Sequence, residues 1–244
     1  MIYLSYINIR TFIVLILSML SCFLTIQYHL KIHFNIVLFG LAIAFPLATA
    51  IQTAFKRREK ALEYLSLFKS GMLVIHYSFQ SSKKLEAEKK LEIAKVLNNA
   101  ADKLLNQLRI SNGDMVHFQE EADKIMIFMQ QNREAISARI LTRVIRYLKD
   151  ALDGAAYLLS LTRHRTMKGL RFYSIFFIGL FTILHAPILV DQIDQQLPEW
   201  AIYPLSAFSS LILVTLYNFQ EQIEYPFDQK GADDIKLDDF KLNI

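Results

Sequence analysis

Histidine, cysteine and carboxylate side chains carry most nucleophilic, acid–base and metal chemistry, and this sequence spaces them too widely to converge. Its six histidines are dispersed; His29 and His33 sit four apart, but they flank a turn between apolar segments, where interfacial residues are expected more readily than ligands. Cys22 is the one cysteine, so neither an intrachain disulfide nor a cysteine cluster can form, and it reads as a small hydrophobe facing lipid or a neighbouring helix. There is no G-x-x-x-x-G-K-[ST] phosphate loop, no G-x-G-x-x-G after a strand, no H-E-x-x-H and no G-x-S-x-G. Neither an enzyme nor a cofactor is expected. His185, next to Ala186-Pro187 in an apolar segment, is either a functional polar residue within a membrane or a helix-end histidine near its outer interface.

The residues that do follow a pattern suit ions rather than covalent chemistry. Arg139, Arg143 and Arg146 recur at i, i+4 and i+7, joined by Lys149, and form either a solvated helix face or a cationic vestibule that concentrates anions. Leu38, Leu41, Phe45, Thr49, Gln52 and Lys56 fall on one face at steps of three or four residues. Pro46 lies among them and removes one backbone hydrogen bond, which usually kinks a helix. That face runs from apolar to polar to cationic. The gradient suits the wall of a pore with a dry constriction, where apolar rings gate by dewetting, and it also suits ordinary helix packing.

The elements that must hold these residues are long and apolar. Thr11–Leu30, Phe34–Phe55, Phe172–Val190 and Ala201–Gln220 contain no acid, lysine or arginine, in a chain that is 53% hydrophobic and 20% charged. A helix rises about 1.5 Å per residue, so roughly 20 residues cross a bilayer core. Each segment is long enough, and four of them in 244 residues leave too little polar surface for a soluble protein to cover them. The first segment lacks a small-x-small cleavage site and is read as a retained membrane helix. Basic residues crowd one side: Lys56-Arg57-Arg58-Glu59-Lys60 after the second segment, and Arg163-His164-Arg165, Lys168 and Arg171 before the third. The loop from Asp191 to Trp200 is acidic instead, with Asp191, Asp194 and Glu199. Both termini and the middle of the chain are therefore expected in the cytoplasm. The net charge of +4 belongs to these flanks, and nucleic acid is not needed to explain it.

Between the hairpins, residues 56–168 have no proline and three glycines. Ile93, Leu97, Ala101, Leu104 and Leu108 form one helical stripe, and Ile136, Ile140, Val144, Leu148 and Leu152 another. Ser111-Asn112-Gly113-Asp114 marks a turn. Ala61, Leu62, Leu65, Phe68 and Met72 extend an apolar face past the basic run, so the second membrane helix is expected to continue beyond the membrane. The expected fold class is all-α: a multi-pass membrane protein with four transmembrane helices in two hairpins, joined by a cytoplasmic helical bundle. It is read as one domain, with a membrane hairpin at 9–55, cytoplasmic helices at 56–168, a second hairpin at 169–221 and a cytoplasmic tail at 222–244.

Three stretches resemble the bestrophin family. Arg165-Thr166 and a membrane helix ending in Ala186-Pro187-Ile188-Leu189-Val190-Asp191 look like the family's R-T…P-x-x-L-V-D, with the proline one residue closer. Gln222-Ile223-Glu224-Tyr225-Pro226-Phe227-Asp228, followed by Asp233-Asp234-Ile235-Lys236-Leu237-Asp238, is similar to the prokaryotic E-L-E-D-P-F-G…N-D-L-P-L-D. Gly40-Leu41-Ala42-Ile43-Ala44-Phe45 resembles the pore helix. Order and rough spacing match over most of the chain.

The resemblance implies a homopentameric ion channel in a cell (inner or plasma) membrane, with lipid and small inorganic ions as its other partners. Five copies of the Phe34–Phe55 helix would surround one axis, with Leu41, Phe45 and Thr49 at the neck. Leu38, Gln52 and Lys56 would line the rest of the pore, and Arg57, Arg58 and Lys60 would form a cytoplasmic basic ring. Family members conduct chloride and other small anions, and some bacterial ones pass cations; the alternative is a non-conducting scaffold or sensor that keeps the fold. The tight acidic run that clasps calcium in animal members is replaced by Gln229, Lys230, Gly231 and Ala232, so calcium gating is not implied. Asp233, Asp234, Asp238 and Asp239 could offer oxygen ligands to a hard cation, or form a solvated tail.

Overall fold

The structure, a computed structural model, describes residues 6–110, 113–164, 168–193, 198–229, 231 and 234–244. Ser111, Asn112, Arg165, Thr166, Asp194, Lys230, Ala232 and Asp233 lie outside the described residues. Among the described residues there are seven α-helices: α1 (Ile9–Gln27), α2 (Ile36–Gln80), α3 (Ala87–Leu108), α4 (Val116–Gln131), α5 (Ala138–Arg163), α6 (Lys168–Ile193) and α7 (Ile202–Ile223). No strand occurs among the described residues. Internal contacts group the chain into two compact units, Met1–Lys56 with Thr166–Glu224, and Arg57–Arg165 with Tyr225–Ile244. The 45-residue α2 contributes to both.

Two helices of the first unit, α1 and α7, expose large apolar residues and bury small polar ones, the reverse of a soluble bundle. The buried residues of α1 are Thr11, Ser18, Ser21, Cys22 and Thr25, all small and mostly hydroxylic. Its exposed residues include Ile9, Phe12, Ile13, Ile16, Leu20 and Phe23. On α7, Ser206, Ser210 and Asn218 are buried while Leu205, Phe208, Ile212 and Leu216 are exposed. Lipid tails are as apolar as leucine, so helices in a bilayer gain nothing by hiding leucine from them; small residues that permit close approach and hydrogen bonds across helices hold them together. Ser18 and Ser206 meet oxygen to oxygen at 3.0 Å. The Asn218 amide donates to the Tyr6 carbonyl at 2.9 Å and to the Thr11 hydroxyl at 3.1 Å. Cys22 faces a neighbouring helix, its Sγ 3.8 Å from the Ile202 carbonyl oxygen. With four helices long and apolar enough to cross a bilayer, this is a membrane protein.

Two ion pairs close one end of the unit. Arg10 of α1 pairs with Glu221 of α7, and Arg171 of α6 donates to Glu224 at 2.9 Å. α6 carries Pro187 inside it. Having no N–H, Pro187 leaves the carbonyl of Ile183, four residues earlier, without its helical donor. The Ser21 hydroxyl of α1 supplies that donor at 2.6 Å. The helix continues through the proline because a neighbour completes it.

The second unit is a conventional apolar core. Phe68 and Met72 of α2, Leu97 and Leu104 of α3, Phe118 of α4 and Val144 and Leu158 of α5 are fully buried in it. The expected turn after α3 is tight at Gly113, where a Cβ would lie 2.1 Å from the Gln107 carbonyl oxygen, so only glycine fits. Arg163, at the end of α5, donates to the Gly113 carbonyl at 2.9 Å and fixes the turn. The C-terminal segment packs its apolar side chains and leaves charged ones, Asp238 and Asp239 among them, exposed. Phe227, Ile235, Leu237 and Leu242 are buried in the core. The Gln229 amide donates to the Ile235 carbonyl at 2.7 Å, and the Asn98 amide donates to that of Ile244.

Candidate pore face

Within the first unit, α2 divides sharply. Phe39, Ile43, Leu47, Ala50 and Ala54 are buried. The first three pack against Ile178 and Phe181 of α6 and Tyr217 of α7. On the opposite side, Leu38 is 64% exposed, Leu41 52% and Phe45 73%, and Thr49, Gln52 and Lys56 are exposed as well. All six residues of the expected face are therefore brought together and open. An open cleft of about 400 Å³ lies along it, lined by Ala44, Phe45, Ala48, Thr49 and Gln52.

The chemistry along this face is graded. Thr49 donates its hydroxyl to the Pro46 carbonyl at 2.8 Å, which turns its hydrogen inward and leaves lone pairs and a methyl group outward. Gln52 and Lys56 have no hydrogen-bond or ionic partner among the described residues. Pro46 leaves the Ala42 carbonyl unmatched, and the Tyr173 hydroxyl of α6 donates to it at 3.1 Å. Tyr173 was not singled out from sequence; a tyrosine near a helix start carries no sign of which distant proline it completes.

The expected basic ring is largely engaged. Arg57 is half-buried and donates to the Leu161 carbonyl of α5 at 2.8 Å. Lys60 donates to Glu63 at 2.6 Å, and Arg58 is half-buried. Lys56, one turn before Lys60, is exposed and has no such partner among the described residues. Arg139, Arg143 and Arg146 are exposed on α5 with no carboxylate partner among the described residues, while Lys149 lies 3.9 Å from Asp153.

The remaining sequence candidates separate. His185 is buried on α6 with its ring 4.7 Å from that of Phe181, and its Nδ1 has no partner. His33 pairs with Asp191, tying the Lys31–Asn35 stretch to α6, and His29 turns away on a positive φ of 49°. Asp234 accepts from the Gly231 N–H at 3.0 Å. Asp238 pairs with Arg109 at 3.2 Å and Lys241 at 2.8 Å, the lysine first among the contacts that hold its carboxyl below the usual range. Asp239 is exposed, and Asp233 lies outside the described residues. Among the described residues, no three histidine, cysteine or carboxylate side chains gather in a way that could hold a metal.

No protein-family model and no curated protein matches this sequence. Solved structures do. A single-residue variant of a bacterial bestrophin homologue from Klebsiella pneumoniae superposes with a TM-score of 0.80 at 17% identity, covering 95% of this chain and 94% of that one. The chain has the bestrophin fold. The zinc-phased structure of the Klebsiella homologue gives a TM-score of 0.78 at 16% identity over 95% and 93% of the two chains. A variant of a structure described as a membrane protein gives 0.79 at 16% over 96% and 95%. At this identity the likeness speaks for the bestrophin fold alone, and it spans nearly the whole of each chain.

Proposed function

We propose that the protein is a homopentameric ion channel whose pore is lined by α2, with a neck at Leu41, Phe45 and Thr49. The observation that carries this reading is the contrast between two exposed helix faces of one membrane unit. The open face of α1 is apolar over its length, as lipid requires. The open face of α2 carries Thr49, Gln52 and Lys56, and the last two have no partner among the described residues. Lipid offers no hydrogen bonds, so water or another subunit must meet these groups. A closed ring with α2 innermost supplies water to every copy at once.

The bestrophin fold supports the same reading, since the family it resembles forms channels and not enzymes. Lys56, repeated around the ring, favours chloride and other small anions, while the apolar neck favours ions that shed water easily. The membrane is the cell (inner or plasma) membrane, with both termini cytoplasmic. Purified protein in liposomes tests the proposal: it dissipates a chloride gradient, and the gently solubilised particle has the mass of five chains. A stable monomer or dimer, or liposomes that hold their gradient, would leave a scaffold that kept the fold.

A further inference from the structure

We infer that Tyr173 is a positioning residue for the neck: its hydroxyl completes the helix broken by Pro46 and holds the Leu41–Phe45 turn of α2 in place. The inference rests on the pore reading above, because it concerns how that pore's narrowest turn is set. Pro46 removes the N–H that would bond the Ala42 carbonyl, so the helix has a weak point between two proposed neck residues, Leu41 and Phe45, on the open face. The Tyr173 hydroxyl fills the gap at 3.1 Å. Its ring is fixed in turn by Phe177, one turn further along α6, at 4.2 Å between centroids.

The direction of the tether decides its effect. Tyr173 belongs to α6, which packs on the buried side of α2 through Ile178 and Phe181. A bond from that side draws the Ala42 carbonyl back toward the unit's own helices and away from the open face. Without it, the turn is free to straighten toward the axis of the ring, and the apolar side chains at Leu41 and Phe45 close the neck.

The same device occurs at Pro187, whose orphaned Ile183 carbonyl takes the Ser21 hydroxyl at 2.6 Å. That second proline lies away from the open face of α2 and serves as an internal control. Both internal prolines of the membrane unit are thus completed by a hydroxyl from another helix, but only one completion bears on the neck.

The test is a double-mutant cycle of Tyr173→Phe and Pro46→Ala, read in two ways. Tyr173→Phe keeps the ring and removes one hydroxyl. In the parent it lowers chloride flux about threefold to tenfold, the range expected for one interhelical hydrogen bond, and shifts the iodide-to-chloride permeability ratio. Pro46→Ala restores the N–H to Ala42, so in that background Tyr173→Phe changes neither flux nor ratio. Ser21→Ala lowers unfolding stability but leaves the permeability ratio unchanged. Should Tyr173→Phe alter stability in a Pro46-dependent way yet leave the permeability ratio untouched, the bond is only structural and the positioning role is overturned. Equal effects in both backgrounds overturn the tether itself. Failure of the pore reading looks different: the parent passes no ions, while the stability cycle still reports coupling between Tyr173 and Pro46.

Discussion

Deleting a phenyl ring from a helix core costs more than deleting a branched aliphatic chain, yet on α2 the order should reverse. Phe45 is 73% exposed in the chain, so only about a quarter of its surface is covered. A buried Phe→Ala costs about 3–5 kcal/mol, and a quarter of that is about 1 kcal/mol. Ile43, two residues earlier, is 1% exposed among Phe39, Phe181 and Tyr217. Ile43→Ala leaves a cavity that costs about 2–5 kcal/mol, whether lipid or water surrounds the unit, because packing contacts are lost outright. Flux should respond the opposite way. In the proposed pentamer, Leu41→Ala with Phe45→Ala removes ten apolar side chains from the neck, and lowering the barrier by only about 1.4 kcal/mol raises ion flux tenfold. Thermal unfolding in detergent and anion flux in liposomes, measured on the parent and these three variants, separate the faces. If Phe45→Ala unfolds the protein as readily as Ile43→Ala, the open face is an interface and not a pore wall. If the Leu41/Phe45 double variant assembles normally and conducts no better than the parent, the constriction lies elsewhere.

Two further outcomes follow from particular charges. Lys56→Gln should move the reversal potential in asymmetric potassium chloride away from the chloride equilibrium value, and the difference should fade near 1 M salt, where the screening length is about 3 Å; Arg57→Gln, which removes a donor to the Leu161 carbonyl, should lower stability and leave selectivity alone. Glu121 is buried on α4, which pushes its carboxyl up, but hydrogen bonds from Lys103 and Lys124 at 2.7 Å outweigh burial and hold it below the ordinary value. A carboxyl depressed by folding contributes stability that is full above its unfolded value, about pH 4.3, and is lost as pH falls through the folded one. Glu121→Gln should therefore flatten the acid limb of an unfolding-against-pH curve while costing about 1–3 kcal/mol at neutral pH, and an unchanged acid limb would show that the pair does not govern it.

Much of this fold was legible because the bilayer writes in long words. Four charge-free runs marked four membrane helices, and each run falls almost wholly within a helix. The face of α2 was legible too, since a three-to-four step from Leu38 to Lys56 needs only helical periodicity. What periodicity could not say is which face of a membrane helix is inside. On α1 the apolar face points out and the hydroxyls point in, whereas on α2 Phe39, Ile43 and Leu47 are buried and Gln52 is open. In the tail both patterns coexist: Asp238 and Asp239 are exposed, while Phe227, Ile235, Leu237 and Leu242 supply the packing. Of the expected basic ring, Lys60 has its partner Glu63 three residues on along α2, whereas the bond from Arg57 to the Leu161 carbonyl becomes visible only once α2 and α5 are side by side.

Proline placement joins these threads. A bilayer penalises every unmatched carbonyl, so a proline inside a membrane helix persists only where another element donates to it. Pro187 is matched by α1 and Pro46 by α6, which makes α6 both the recipient of one repair and the donor of the other. α1, α6 and α2 are thus linked in series by two side-chain hydroxyls. Of the two bonds, only the one from Tyr173 bears on the Leu41–Phe45 turn; the one from Ser21 completes α6 and leaves the neck alone. Each repair gives its donor, Ser21 or Tyr173, a structural reason for being hydroxylic.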